Sequence, residues 1–503
     1  MIGVSPPDEN GKVLCVPSFQ ALPELVKKNQ LNLGLLSQKW VELRAIARLD
    51  VVDLLGLDPK DVAKPWIMCG HQPEVCHPGV WAKYFVSKGL SKASGAVAFN
   101  LVADADICRQ KWLPFPLASQ DNRLVRGTMI VGKGPPGTSW EQVRRANLLD
   151  KGNPIWQQMA TCFGLDPMGQ KYESTEQHLL GENNTIQRRV AQGDLGLDLS
   201  DLLQSKLSRT VGFGLFFASI LCEIQSFSRL HNLALAGFRN QQGVGNTGWP
   251  VANLGHQGEW YETPFWLLGT TMGPRMPLWV KLETREIVLG GEPGKCLARL
   301  EVRNPKGWLD ALGKHGLGIR PKALANTLFL RWLVCDLFVH GLGGAIYDSV
   351  TDEIGRGWFG CEAPTFAVVS ATLRLPLPKE KEGNEPGLRC KLRDLWWHPE
   401  RLGEPGRLNE ADLQEWLSLR NVPKQRQRAK VLLWRLHIQA NQHYGMLEEQ
   451  MEKARLAKAS NALANYREWP WIWYSGESLG DLLCPLLDPQ LYGAMGNPIT
   501  LKS

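Results

Sequence analysis

Between Leu22 and Leu54, apolar side chains recur at three-four spacing: Leu22, Leu25 and Val26, then Leu36, Trp40, Leu43, Ile46 and Leu54. That period puts them on one helical face and predicts a helical preface over residues 1–60. After Pro59 the period changes. Pro65-Trp66-Ile67-Met68-Cys69 is a short apolar run that stops at Gly70, followed by His71-Gln72-Pro73 and a helix-like stretch over 80–90. A second run, 96–102, closes on Ala103-Asp104-Ala105-Asp106. Strand, loop, helix and strand in this order make an α/β unit. Both polar clusters then sit at carboxyl ends of parallel strands, the edge at which open α/β sheets bind ligands.

Further along, residues 114–139 read as strand and turn, and 140–240 as mostly helical, with a strongly apolar stretch over 213–227. Residues 260–289 alternate enough to predict β structure around 279–282 and 286–289. The α/β pattern returns at 328–339, ahead of His340-Gly341-Leu342-Gly343-Gly344, and 365–375 reads as a late strand. Residues 376–386 form a linker or long loop. A long helix over 423–466 carries Leu433, Leu436, Ala440, His443, Leu447 and Met451 as a coiled-coil-like stripe, whose partner is either internal or a second subunit. The segments implied are a helical preface (1–60), a first part of an α/β core (61–139), a connecting region (140–325), a second part of the core (326–378) and a helical region (379–503).

Composition narrows the class. The chain has 503 residues, 44% apolar and 21% charged, enough for one large core or about three domains. Its 57 Lys+Arg against 50 Asp+Glu give +7, too mild to mark a nucleic-acid binder, so that partner is not expected. Six basic residues between Arg420 and Arg435 are either a solvated helix face or a phosphate contact. The longest apolar run, 211–222, is short of the roughly 20 residues that span a bilayer. With no basic-then-hydrophobic leader over 1–17, a cytoplasmic protein without membrane association is expected. Eleven scattered cysteines without a CxxC pair fit reduced thiols.

Several constellations can carry chemistry. Gly70-His71-Gln72-Pro73 through His77-Pro78-Gly79 joins two imidazoles and an amide to turn-formers ahead of a helix. Such a loop either binds phosphate or holds capping and packing histidines. Asp104 and Asp106 share a side if the strand persists, and would bind a hydroxyl, an ammonium group or a divalent ion, or else cap the next helix. Arg331, Asp336, His340, Gly343, Gly344, Tyr347 and Asp348 surround a glycine pair that either admits a ligand to the backbone or forms a plain turn. Gly127 to Gly134 nearly fits a phosphate loop but lacks the hydroxyl after Lys133. The aromatic clusters Trp260–Trp266, with Glu262, and Trp469–Tyr474 either pack a core or stack a sugar or base.

The ordered set from Gly70-His71-Gln72-Pro73 to Gly79, then Asp104-Ala105-Asp106, then His340-Gly341-Leu342-Gly343-Gly344-Ala345-Ile346-Tyr347, then Ser370-Ala371-Thr372, resembles the bacillithiol synthase family of cysteine-adding enzymes. The resemblance implies an α/β fold with a Rossmann-like parallel-sheet core, inserted connecting segments and a C-terminal long helix or coiled coil. It further implies a ligase or transferase that joins a cysteine-like amino acid to a small amine such as an amino-sugar conjugate. ATP, ADP or another nucleotide would be the ligand, and a divalent metal is allowed. Gly70, Gln72, Gly79, Gly343, Gly344 and Tyr347 would line the nucleotide or substrate crevice, with His71, His77, Asp104 and Asp106 as the catalytic groups. The family's Asp-His-Asp signature has Ala105 at its centre here, so a divergent relative is expected. A homodimer through the C-terminal helix, a metal-dependent hydrolase using His71, His77, Asp104, Asp106, His340 and Asp348, and a non-catalytic scaffold remain as alternatives.

Overall fold

Short β-branched and aromatic runs supply six strands of one sheet: β1 (Lys12–Val16), β2 (Trp66–His71), β3 (Val97–Val102), β4 (Ser200–Leu203), β5 (Leu337–His340) and β6 (Ala367–Thr372). The computed structural model describes residues 5–146, 152–172, 178–245, 248–269, 273–402 and 408–493. Across the sheet the order is β1-β6-β5-β2-β3-β4, with β1 antiparallel to β6 and the other five strands parallel. From β2 the chain steps outward to β3 and β4, then returns to the other side of β2 and steps outward through β5 and β6. The order therefore reverses between β2 and β5, and a crevice at such a point opens beyond the carboxyl ends of the strands.

Two of these strands lie where other structure was expected. β1 falls inside the helical preface: its five residues, KVLCV, are too few to set a period, and their partner lies near the other end of the chain. β4 falls inside the mostly helical connecting region and is only SDLL, joined to β3 by pairing rather than by pattern.

Trp66, Met68, Phe99, Leu101, Leu202 and Phe338 bury one face of the sheet in a core shared with helices Gln38–Leu55, Val211–Cys222, Ile224–Gln242 and Leu342–Phe359. Helix Pro78–Ser94 covers the other face and packs chiefly on β6, β2 and β3. Gln38–Leu55 is tied to the sheet by Asp336, which accepts from Arg44 Nη2 (2.6 Å), Arg48 Nη1 (3.2 Å) and the backbone N of Trp66 (2.7 Å). A second, antiparallel sheet is built from Ala298–Glu301, Glu286–Gly290, Met276–Leu282, Trp260–Gly269 and Leu317–Pro321, in that order. Its Phe265, Leu278, Val280, Ile287 and Ile319 enter the same core. Among the described residues no single helix is long and apolar enough to cross a membrane.

The chain divides into two compact units, one comprising residues 1–115, 128–374 and 467–503, the other 116–127 and 375–466. In the second, the expected single helix over 423–466 is two, Arg426–Gln439 and Asn441–Ala464, separated at Ala440. The stripe is consumed locally. Leu432 and Leu436 pack with Trp416 and Ala429, while Ala440, Tyr444 and Leu447 pack with Leu395. Three of the six basic residues, Arg420, Arg428 and Arg435, face Glu400, Glu415 and Asp412 of the same unit.

Candidate functional site

Parallel strands bring their carboxyl ends to one edge, so His71, the turn after Val102 and the turn after His340 all open there. Gly70 and His71 are the last residues of β2 rather than part of the following loop. A Cβ on Gly70 would lie 3.3 Å from Leu101 and Phe338, so this glycine serves packing. His71 turns its Nδ1 to Gln72 O (3.0 Å), and burial, with the nearby Lys83 ammonium, pushes its pKa down to about 3. An imidazole kept neutral in this way is a poor partner for phosphate. His77 caps helix Pro78–Ser94: its Nδ1 accepts from Gly79 N at 3.1 Å, and burial followed by Arg467 and Lys83 pushes its pKa down to about 3. The capping reading therefore describes His77, and this helix start already has its acceptor. Gly79 lies so close to Ala371 O of β6 that no side chain fits between them.

The strand does not persist through Asp104 and Asp106, because the chain turns after Val102 and Asp106 N donates to Ala103 O. The two carboxylates consequently face different ways. Asp104 accepts from the backbone N and the Oγ of Ser205, and burial raises its pKa to about 6. It is a cap at the start of the short helix Gln204–Leu207, away from Asp106. Asp106 is about two-fifths exposed and gathers three groups: Gln72 Nε2 (2.9 Å), its neighbour Ile107 N (2.8 Å) and Arg275 Nη2 (2.9 Å).

Gly341, Gly343 and Gly344 open helix Leu342–Phe359 directly after β5. Gly341 has no side chain to cap it, and among the described residues the N–H groups of Leu342, Gly343 and Gly344 have no acceptor. Nothing lies within 4 Å of a Cβ placed on Gly341 or Gly343. One turn on, the hydroxyl pKa of Tyr347 is raised by burial and then by Asp348 and Asp106, which puts Asp106 within electrostatic reach of this helix. Gln72 and Asp106 link the turns after β2 and β3.

Beneath this helix start, three members of the constellation seen around the glycine pair, Arg331, His340 and Asp348, come together. His340 Nε2 stands 2.6 Å from Asp348 Oδ2, and Arg331 Nη1 reaches the same oxygen at 2.8 Å. Burial works against ionisation of Asp348, but Arg331 and His340 outweigh it and hold its pKa below the usual carboxylate range. The antiparallel sheet adds Arg275 and Lys322, whose cations lie 4.5 Å and 4.8 Å from the centre of the Trp266 ring. Arg275 also donates to Ala105 O, and Lys322 pairs with Glu262. Trp266 and Glu262 stood out in the sequence as part of an aromatic cluster. Arg275 carried no signal, because only folding brings it to Asp106.

A separate cleft of about 820 Å³ lies between the 141–142 turn and strand Leu317–Pro321, with Glu141 and Arg320 paired at 2.7 Å in its wall. Trp469, Trp471, Trp473 and Tyr474 are buried in the core, so that cluster is packing. Gly127 to Lys133 is strand backbone with no helix after it, unlike a phosphate loop. Among the described residues no three His, Cys, Asp or Glu side chains gather to hold a metal ion.

No model of a known protein family matches the chain, and no curated protein matches it. Chemically, the edge offers free helix N–H groups, two cations on an indole and one accessible carboxylate. That set suits a small anionic ligand bearing an aromatic ring or an amine.

Proposed function

We propose that the protein is a bacillithiol-synthase-like ligase or transferase with a Rossmann-like core. It would hold a nucleotide or another phosphate-bearing ligand where the strand order reverses, and join a cysteine-like amino acid to a small amine. The observation that carries this reading is the uncapped start of helix Leu342–Phe359 at that point, on the sheet edge where the turns after β2 and β3, joined by Gln72 and Asp106, also open. Phosphoryl oxygens would take the N–H groups of residues 342–344, Arg275 would offset their charge, and Trp266 offers a face for a base or sugar. Asp106, the accessible carboxylate, would receive the ammonium or amine group. Asp104, buried, and His71 and His77, half-buried with Nδ1 engaged, would support the turns rather than meet the ligand. Amide formation needs an activated carboxyl group, which fits a phosphate-bearing ligand beside an amine-binding carboxylate.

Titration calorimetry with ADP tests the reading. The wild type is expected to bind, and Gly344→Ala and Arg275→Gln each to weaken binding by about tenfold or more while melting cooperatively. Absence of heat from the wild type at millimolar ADP overturns the proposal, as does unchanged affinity in both variants.

A further inference from the structure

We propose that the outer face of helix Arg426–Gln439 docks on an anionic lipid surface, with Val431, Trp434 and Ile438 entering the headgroup boundary and the flanking cations meeting lipid phosphates. This face belongs to the helical unit of residues 116–127 and 375–466 and takes no part in the ligand reading of the sheet edge.

Helical geometry gives these residues two apolar faces. At about 100° per residue, Ala429, Leu432 and Leu436 point one way, where they are buried with Trp416 of helix Glu410–Leu419. Val431, Trp434 and Ile438 fall on the opposite side, within an arc of about 60°. They are 46%, 65% and 54% exposed. Packing within the unit therefore leaves this second stripe uncovered among the described residues. Trp396, stacked on His437 at 3.9 Å centre to centre, extends the exposed aromatic surface onto helix Glu385–Trp397, and Trp397 at its end is exposed as well. An exposed apolar surface of this kind is informative in a way that a single exposed leucine is not.

Charge decides what covers the stripe. No Asp or Glu occurs from 416 to 447, while Lys424, Arg426 and Lys430 are exposed and make no ion pair among the described residues. Arg426 and Lys430 border one side of the stripe. Arg428 and Arg435, held by Glu415 at 2.9 Å and by Asp412 at 3.7 Å, border the other. The occupant therefore has to be apolar along a line and anionic beside it. A second copy brings the same cations to the same place and is repelled. A nucleic acid supplies phosphates, but Val431 and Ile438 offer its bases neither a π face nor a hydrogen bond. An acidic protein would have to bring a groove of matching shape, which a fluid bilayer forms around any ridge. An anionic bilayer also supplies both chemistries, since acyl chains lie directly beneath a layer of phosphates. Tryptophan favours that depth, and a ridge opposite the packed face enters it without unfolding the unit.

The test is co-sedimentation of the full chain with vesicles of phosphatidylcholine, alone or with about one-third phosphatidylglycerol. Wild type is expected on the anionic vesicles and not on phosphatidylcholine, and added salt should release it. Arg426→Glu with Lys430→Glu, and Trp434→Ser with Ile438→Ser, should each weaken the association by about tenfold or more. Lys28→Glu with Lys92→Glu, the same change of charge on another exposed surface, should leave it unaltered. Absence of wild-type binding, equal loss in this control pair, or unchanged binding in either ridge pair overturns the proposal. So does a dimer, seen by sedimentation velocity and dispersed by Trp434→Ser, or binding of a poly(U) oligonucleotide in place of vesicles. Should a ridge pair fail to melt cooperatively, anionic vesicles with brominated acyl chains decide on the wild type: quenching of its tryptophan fluorescence supports insertion, and unquenched emission overturns it.

Discussion

Asp104 and Asp106 stand two positions apart and occupy opposite electrostatic situations, which shows how little residue type alone says about role. Burial raises Asp104 from 3.8 to about 6, whereas Asp106 is open to a cation and an amide. The raised value has a consequence for stability. Between the unfolded and folded pKa the folded chain holds a proton that the unfolded chain releases, so this contribution is complete below about 3.8 and is lost as pH rises through about 6. Asp104→Asn removes the titration. Relative to wild type, the variant should gain up to about 3 kcal/mol between pH 4 and pH 7, measured by urea unfolding across that range. Parallel stability profiles for the two proteins would show that the Asp104 proton is not held by the fold. The glycines make the same point. Gly79, Gly343 and Gly344 look alike in the sequence, yet the first is pressed on strand backbone, the second faces open space and the third makes room for His340.

At the scale of elements, periodicity was informative wherever one surface was buried for several turns or several strand residues. The helices of 22–55, the strands around 66–71 and 97–102 and the β structure of 260–289 belong to this class. β1 and β4 do not, because a four- or five-residue strand is defined by its partner's hydrogen bonds. The helix over 423–466 misled in the opposite way: its stripe continues across Ala440 while its backbone does not, since each half packs on a different short helix. Charge also joins elements without a visible period. Asp336, at the start of β5, holds Arg44 and Arg48 of helix Gln38–Leu55 together with the first amide of β2, and burial lowers Arg48 to about 10 despite that partner. Asp336→Ala removes the carboxylate that two buried guanidinium groups and an amide share, leaving the guanidinium groups only backbone carbonyls. It is expected to cost about 3–5 kcal/mol in chemical denaturation, with a loss below about 1 kcal/mol counting against the clamp.

For the whole molecule, two compact units are threaded by one chain that passes between them at residues 115–116, 127–128, 374–375 and 466–467. The larger unit keeps the ends of the second insertion near each other, because Arg467 Nη1 donates to Ala371 O at 3.2 Å and Tyr474 Oη to Leu373 O at 2.9 Å. Replacing 375–466 by a short Gly/Ser linker, with the 116–127 hairpin tip shortened to a turn, should therefore leave a unit that unfolds cooperatively and retains ADP binding. Loss of cooperative melting by calorimetry would mean that the helical unit is needed for the core to fold. The amino-acid sequence by itself determined the α/β class, the strand-loop-helix-strand unit, and the placing of Gln72, Asp106 and Gly344 at strand ends, since local period and turn chemistry act over a few residues. Only the tertiary structure decided which polar groups remain free. His71, His77 and Asp104 are engaged by their surroundings, while Arg275 is carried to Asp106 and His340 is set beneath Gly344. Burial and partnership are properties of distant segments brought together, and no local pattern records them.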